Sequence, residues 1–137
     1  LPLGVILANE KAAAALGAGM HGSTFGGGPL ACRVALEALD IIEEKLLHIH
    51  HVGGCFRMEL QDLARHFSFI KEVRGFGLMI GMELDVPGRQ IVLDGMAEGL
   101  LFNCTHETVL RFLPPYIITE QEIDRAVKTL SKVLKKV

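Results

Sequence analysis

A run of glycines and hydroxyls, His21-Gly22-Ser23-Thr24-Phe25-Gly26-Gly27-Gly28-Pro29, leads straight into a long apolar-patterned segment. Glycine takes backbone angles closed to other residues and leaves amide N–H groups uncovered. Pro29 suits a first helical turn, where its missing N–H costs nothing. Bare amides at a helix N-terminus attract a phosphate or carboxylate, and the hydroxyls of Ser23 and Thr24 add donors. The chemistry of this stretch is anion binding, set against the plainer reading of a flexible loop before a helix. Arg111 is the second residue with chemistry to offer. It interrupts the apolar strand pattern Val109 to Leu113, and a guanidinium there needs a partner that its planar fork matches, a carboxylate above all. From the residues alone that partner is one of the chain's own acids or an external carboxylate.

Other chemistry-bearing residues read more plainly. His48, His50 and His51 have no cysteine or acid at ligand spacing beside them, so they are expected to be surface histidines at a helix end and no metal site is expected. Arg74, at the head of a strand, is expected to be a positioning or interface residue, and Met79 and Met82 core filler.

The elements that must hold these residues follow from periodicity. Leu3–Ala8 suits a short buried strand, and Asn9 caps a brief helix through the alanines. Leu30, Val34, Ala38, Ile41 and Ile42 recur at helical spacing from Pro29 to about Leu47. A second helix is expected from about Val52 to His66, its start weakened by Gly53-Gly54. The period then changes to two: Phe76, Leu78, Ile80, Met82 and Leu84 form one apolar strand face. Pro87-Gly88 marks a turn, and a helix from about Gln90 to Glu98 stops at Gly99. Leu100-Leu101-Phe102 and Val109 to Leu113 read as strands, the second ended by Pro114-Pro115. Thr119 and Glu122 have capping-box spacing ahead of a final amphipathic helix carrying Ile123, Ala126, Val127, Leu130, Val133 and Leu134. Antiparallel strands covered by helices make an α+β layer domain.

Composition narrows the partners. The chain has 137 residues, enough for one domain with a real core, and half of them are hydrophobic. No apolar run is long enough to span a membrane. A net charge of -2 argues against a nucleic-acid partner bound by phosphate neutralisation. Lys128, Lys132, Lys135 and Lys136 suit a solvated helix face and the helix dipole. Cys32, Cys55 and Cys104 fit a reducing cytoplasm and neither a disulfide framework nor a zinc site. Leu1–Ala8 lacks the basic start of a signal peptide, and because Leu1 is not an initiator methionine the chain is expected to be a piece of a longer protein.

The run from His21 to Pro29 closely resembles the H-G-S-T-F-G-G-N-P loop of the class III (ornithine-type) pyridoxal-phosphate aminotransferases. Val73-Arg74-Gly75-Phe76-Gly77-Leu78-Met79-Ile80-Gly81 resembles the same family, as do Asn103-Cys104-Thr105-His106 and Val109-Leu110-Arg111-Phe112-Leu113-Pro114-Pro115 in the same order. The resemblance implies the C-terminal small domain of a fold type I enzyme: residues 1–28 end the large cofactor-binding domain, and residues 29–137 form the interdomain helix and small domain. It further implies a cytoplasmic homodimer in which Thr24 donates to the phosphate of pyridoxal 5'-phosphate and Ser23 contacts an acyl-amino-acid substrate, both across the dimer interface. Arg111 would hold a substrate α-carboxylate. Gly28 replaces the usual asparagine, which loses a side-chain cap but permits the turn.

The wording is most similar to members that move the terminal amino group of N-acetylornithine to 2-oxoglutarate in arginine biosynthesis; ornithine, 4-aminobutyrate and succinylornithine are the alternative donors. The cofactor lysine would lie just upstream of Leu1, along with the pyridine-nitrogen aspartate and the stacking aromatic. This chain then carries half of an active site and is expected to be inactive alone. With the large domain missing, the Pro29–Leu47 helix is expected to expose apolar area and to self-associate or need a partner. A reading from another class is a free-standing α+β binding or assembly module that keeps the anion loop without catalysis.

Overall fold

Residues 3–137 are described by the computed structural model; Leu1 and Pro2, the residues expected to follow the cofactor lysine, lie outside the described residues. The chain divides into two units, Leu1–Glu44 and Lys45–Val137.

In the first unit, residues 3–8 are exposed and form no strand, contrary to the sequence expectation. An apolar run becomes a strand only when a ladder partner takes its backbone groups, and no described strand pairs with it. The Asn9 cap is present: its side-chain oxygen accepts from the Ala12 amide at 2.9 Å and opens helix α1 (Glu10–Ala13). Helix α2 (Pro29–Ala64) begins at the proline. Leu30, Val34 and Ile41 stand 44–71% exposed on it, so the apolar stripe read from the sequence lacks a cover among the described residues.

The expected pair of helices, Pro29 to Leu47 and Val52 to His66, is one helix of 36 residues. Helix propensity fails here because Gly53 is required by packing. A Cβ on it would lie 2.4 Å from the Gly77 carbonyl oxygen, whereas Gly54 faces open space. The two neighbours should therefore respond with opposite sign. Gly53→Ala is expected to destabilise by about 1–3 kcal/mol, because rigid backbone stands where the methyl must go. Gly54→Ala should stabilise by about 0.5–1 kcal/mol through helix propensity alone. Urea unfolding with an unchanged slope reads both; equal signs would refute the packing account.

The second unit is built on a four-stranded antiparallel sheet in the order β1-β2-β4-β3. Strand β1 (Ile70–Phe76) and strand β2 (Met79–Leu84) form a tight hairpin through Gly77-Leu78, with Gly77 at φ 54. The single strand expected from Phe76 to Leu84 is corrected by this turn. Leu78, Ile80, Met82 and Leu84 are buried as the alternation required, but Phe76 pairs with Met79 on the outer face and is 89% exposed. Helix α3 (Arg89–Ala97) follows, and its end is closed by the Leu100 amide on the Gly95 carbonyl at 2.8 Å and the Gly99 amide on Met96 at 3.0 Å. Leu100 to Phe102 is a connection rather than a strand; β3 is the next three residues, Asn103–Thr105, and β4 is Val109–Phe112. Helix α4 (Glu120–Leu134) carries the capping box at Thr119 and Glu122. Hydrogen bonds from the Thr119 backbone, then from its hydroxyl, hold the Glu122 carboxyl below its usual range. A lowered carboxyl contributes stability above the ordinary glutamate range, and that contribution is lost as the pH falls through the lowered value.

One core joins the inner sheet face to α2 and α4 within this unit. Phe56 and Leu60 of α2 meet Met82, Leu110 and Phe112 of the sheet and Leu130 of α4. Phe56 and Phe112 touch edge-on, with centroids 5.7 Å apart. The α+β architecture with an antiparallel sheet covered by helices is as the sequence indicated.

Candidate functional site

Strand alternation sends Ile80, Met82, Leu110 and Phe112 inward and leaves the odd-numbered neighbours on the outer face of the sheet. The registers Arg74↔Gly81, Gly81↔Arg111 and Asn103↔Arg111 set Arg74, Gly81, Arg111 and Asn103 in one row across all four strands. Gly81 has no side chain between the two arginines, and a Cβ there would touch Val109 at 3.4 Å. The row thus has a low centre flanked by two guanidinium groups.

The arginines differ in what already neutralises them. Arg74 donates to Glu72 at 2.8 Å and also to Glu83. Those two bonds, Glu83 first, raise its pKa above the ordinary arginine value. Arg111 is half-buried, and its Nε donates to the neutral Asn103 side-chain oxygen at 3.1 Å. Among the described residues no carboxylate pairs with Arg111. Of the two partners left open by the sequence, an internal acid is absent among the described residues. The remaining guanidinium edge is suited to an incoming carboxylate. The bond from Arg111 to Asn103 escaped the sequence reading, although the eight-residue spacing of a short β3–β4 hairpin was a signal for it.

The anion loop belongs to the other unit and is described by itself. The Gly26 amide donates to the Ser23 carbonyl at 3.2 Å and the Gly28 amide to Phe25 at 3.3 Å, so two successive turns deliver the chain to α2. Gly28 accepts the first helical bond, from Cys32 at 3.0 Å, and caps the helix without a side chain. Ser23 and Thr24 are exposed, and among the described residues their hydroxyls have no hydrogen-bond partner. No acidic residue lies between Glu10 and Glu37. Hydroxyls and helix N-terminal amides with no nearby sequence acid are a donor set fit for a phosphate.

The histidines separate in the fold. His48 Nε2 lies 3.0 Å from the Ile118 carbonyl, His50 is exposed, and His51 Nε2 lies 2.7 Å from a Glu120 oxygen. The expectation of no ligand partner for His51 is corrected: Cys55, four residues on in α2, brings its Sγ to 3.9 Å from Nε2, and Glu120 arrives from α4. Nor do these histidines end a helix, since α2 runs on to Ala64. No helix among the described residues is long and apolar enough to cross a membrane.

The sequence matches the family Aminotransferase class-III over residues 1–134. Acetylornithine aminotransferase of Methanocaldococcus jannaschii is 45% identical over 135 residues, covering 97% of this chain and 34% of that protein. Ornithine aminotransferase of Halalkalibacterium halodurans is 40% identical over 136 residues, covering 98% of this chain and 34% of that protein. In structure, the chain is similar to the acetylornithine aminotransferase of Elizabethkingia anophelis, with a TM-score of 0.79 and 34% identity over 96% of this chain and 36% of that one. The chain spans about a third of the length of the relatives it matches. It belongs to the class-III aminotransferases.

Proposed function

We propose that this chain is the C-terminal portion of a pyridoxal-phosphate transaminase that moves the terminal amino group of N-acetylornithine to 2-oxoglutarate, in arginine biosynthesis. The observation that carries this reading is the 45% identity to an acetylornithine aminotransferase along nearly the whole chain. The uncompensated guanidinium of Arg111 supports it independently. Residues 1–28 would close the large cofactor-binding domain, and residues 29–137 would form the interdomain helix and small domain. The working enzyme would be a homodimer in a reducing cytoplasm, its cofactor lysine lying before Leu1.

Pyridoxal phosphate, when bound, supplies the electron sink for amino-group transfer. Thr24 would hold its phosphate through the hydroxyl, aided by the N-terminal amides of α2. Ser23 would contact the acyl-amino-acid substrate. Arg111 would orient an α-carboxylate, its plane fixed by the bond from Nε to Asn103. A neighbouring Gly81 leaves room for that carboxylate.

Ornithine aminotransferases at similar identity support ornithine as the competing donor. Steady-state kinetics of the complete transaminase with N-acetylornithine, ornithine, 4-aminobutyrate and succinylornithine decides between them. N-acetylornithine is expected to lead in kcat/KM by at least about tenfold, the range that a pocket fitted to one substituent provides. An equal or higher value with ornithine would transfer the assignment to the ornithine enzymes.

A further inference from the structure

We propose that His51, Cys55 and Glu120 form a binding site for a zinc-type divalent cation, separate from the transaminase chemistry and independent of the substrate reading. His51 and Cys55 stand four residues apart on α2 and so face the same way. Glu120 is the first residue of α4 and arrives from 69 positions away in sequence. The His51–Cys55 pair is local, and the fold completes it with a third ligand from a distant element.

Its geometry is close to what a metal requires. The Cys55 sulfur lies 3.9 Å from His51 Nε2, and a Glu120 oxygen lies 2.7 Å from the same nitrogen. All three ligand atoms fall within 4.8 Å of one another. Ordinary zinc bond lengths in a tetrahedron place a sulfur and a nitrogen about 3.6 Å apart, and a nitrogen and an oxygen about 3.4 Å apart. Closing the site needs the carboxylate to back off from its direct bond to His51, and the sulfur and carboxylate oxygen, now within 4.8 Å of each other, to settle at about 3.6 Å. His51 and Glu120 have room to make these shifts, each side chain being 63% exposed.

The donor set chooses the class of ion. A thiolate, an imidazole and a carboxylate suit zinc, whereas calcium and magnesium call for oxygen alone. Thiolate and carboxylate together offset the two charges of the ion. Three protein ligands leave a fourth position on the exposed side for water. His48, one turn earlier, is not a fourth ligand, because its Nε2 faces the Ile118 carbonyl at 3.0 Å. With the ion in place, α2 would be clipped to the start of α4 more firmly than by the His51–Glu120 bond, so the chain should melt higher when loaded.

The test uses the 137-residue chain, stripped with a chelator and titrated with Zn²⁺ by calorimetry and with Co²⁺ by absorption. We expect one ion per chain and a thiolate-to-cobalt charge-transfer band. Cys55→Ser should abolish that band, while Cys32→Ser and Cys104→Ser should keep it. His51→Gln, Cys55→Ser and Glu120→Gln should each weaken Zn²⁺ binding at least about tenfold, since even outer partners of metal ligands cost that much. The thermal midpoint should rise with Zn²⁺ in the parent and not in Cys55→Ser. Circular dichroism of each variant, with Cys55→Ala as a second substitution, separates loss of a ligand from loss of fold. Parent-like affinity in any folded ligand variant, or a cobalt spectrum without the thiolate band, overturns the proposal.

Discussion

Arg111→Lys, introduced into the complete transaminase, should raise the KM for 2-oxoglutarate by about ten- to a hundredfold while leaving cofactor affinity nearly unchanged. Lysine keeps the charge but presents no planar pair of donors. Losing one charge-assisted hydrogen bond costs roughly 1.5–3 kcal/mol, which is about one to two decades in a dissociation constant. The KM for N-acetylornithine should rise too, since it also carries an α-carboxylate. The oxo-acid should suffer more, because its α-carboxylate is bonded to the reacting carbon and misplacing one misplaces the other. Thr24→Val gives the complementary pattern. It removes a donor to the cofactor phosphate, so pyridoxal-phosphate affinity should fall by about one to two decades with substrate KM values preserved at saturating cofactor. Arg74→Lys is the control on the same sheet face: its guanidinium already serves Glu72 and Glu83, and exchanging one exposed ion pair for another is worth at most about 1 kcal/mol. Cofactor titration and steady-state kinetics on the three variants separate the roles. A lysine variant that loses cofactor but keeps its substrate KM would show that Arg111 has been misassigned.

The isolated chain should show no transaminase turnover at all, even with saturating pyridoxal phosphate. The reaction needs a lysine amine that is desolvated or otherwise activated, so that it can attack the cofactor carbonyl and then move a proton. The seven lysines here are Lys11, Lys45, Lys71, Lys128, Lys132, Lys135 and Lys136. Every one of them is exposed. Lys128 is held by Asp124, and Lys136 donates to Glu98 at 3.1 Å. Surface amines of this kind bind an aldehyde weakly and without preference. After incubation and dialysis, the absorbance of bound cofactor should disappear, and peptide mapping should find no single modified lysine. A stoichiometric adduct at one of the seven, together with turnover, would overturn both the inactivity and the placement of the lysine before Leu1.

What the sequence determined by itself were the features written in adjacent residues. The capping box at Thr119 and Glu122, the buried face of α4, the glycine stop after α3 and the alternation from Leu78 to Leu84 all appear where the periodicity put them. The family was legible too, through three motifs whose order in the chain matches that of the class-III aminotransferases. Each of these depends on neighbours within a few positions, and local physics is enough to place them.

Tertiary structure decided the remainder, because each such feature is a contact between residues far apart in sequence. The continuity of α2 through Gly53-Gly54 depends on the Gly77 backbone approaching from a hairpin. That hairpin was hidden because a two-residue turn leaves the buried alternation running on while it moves Phe76 to the outer face. Leu3–Ala8 had the right composition for a strand and no partner to make one among the described residues. Arg111 acquired its meaning from register alone. Pairing across β1, β2, β4 and β3 gives both acids to Arg74 and leaves Arg111 with a neutral asparagine. Periodicity tells which face a residue occupies, but only strand pairing tells which charges share that face, and at Arg111 that pairing brings a neutral asparagine and no carboxylate among the described residues.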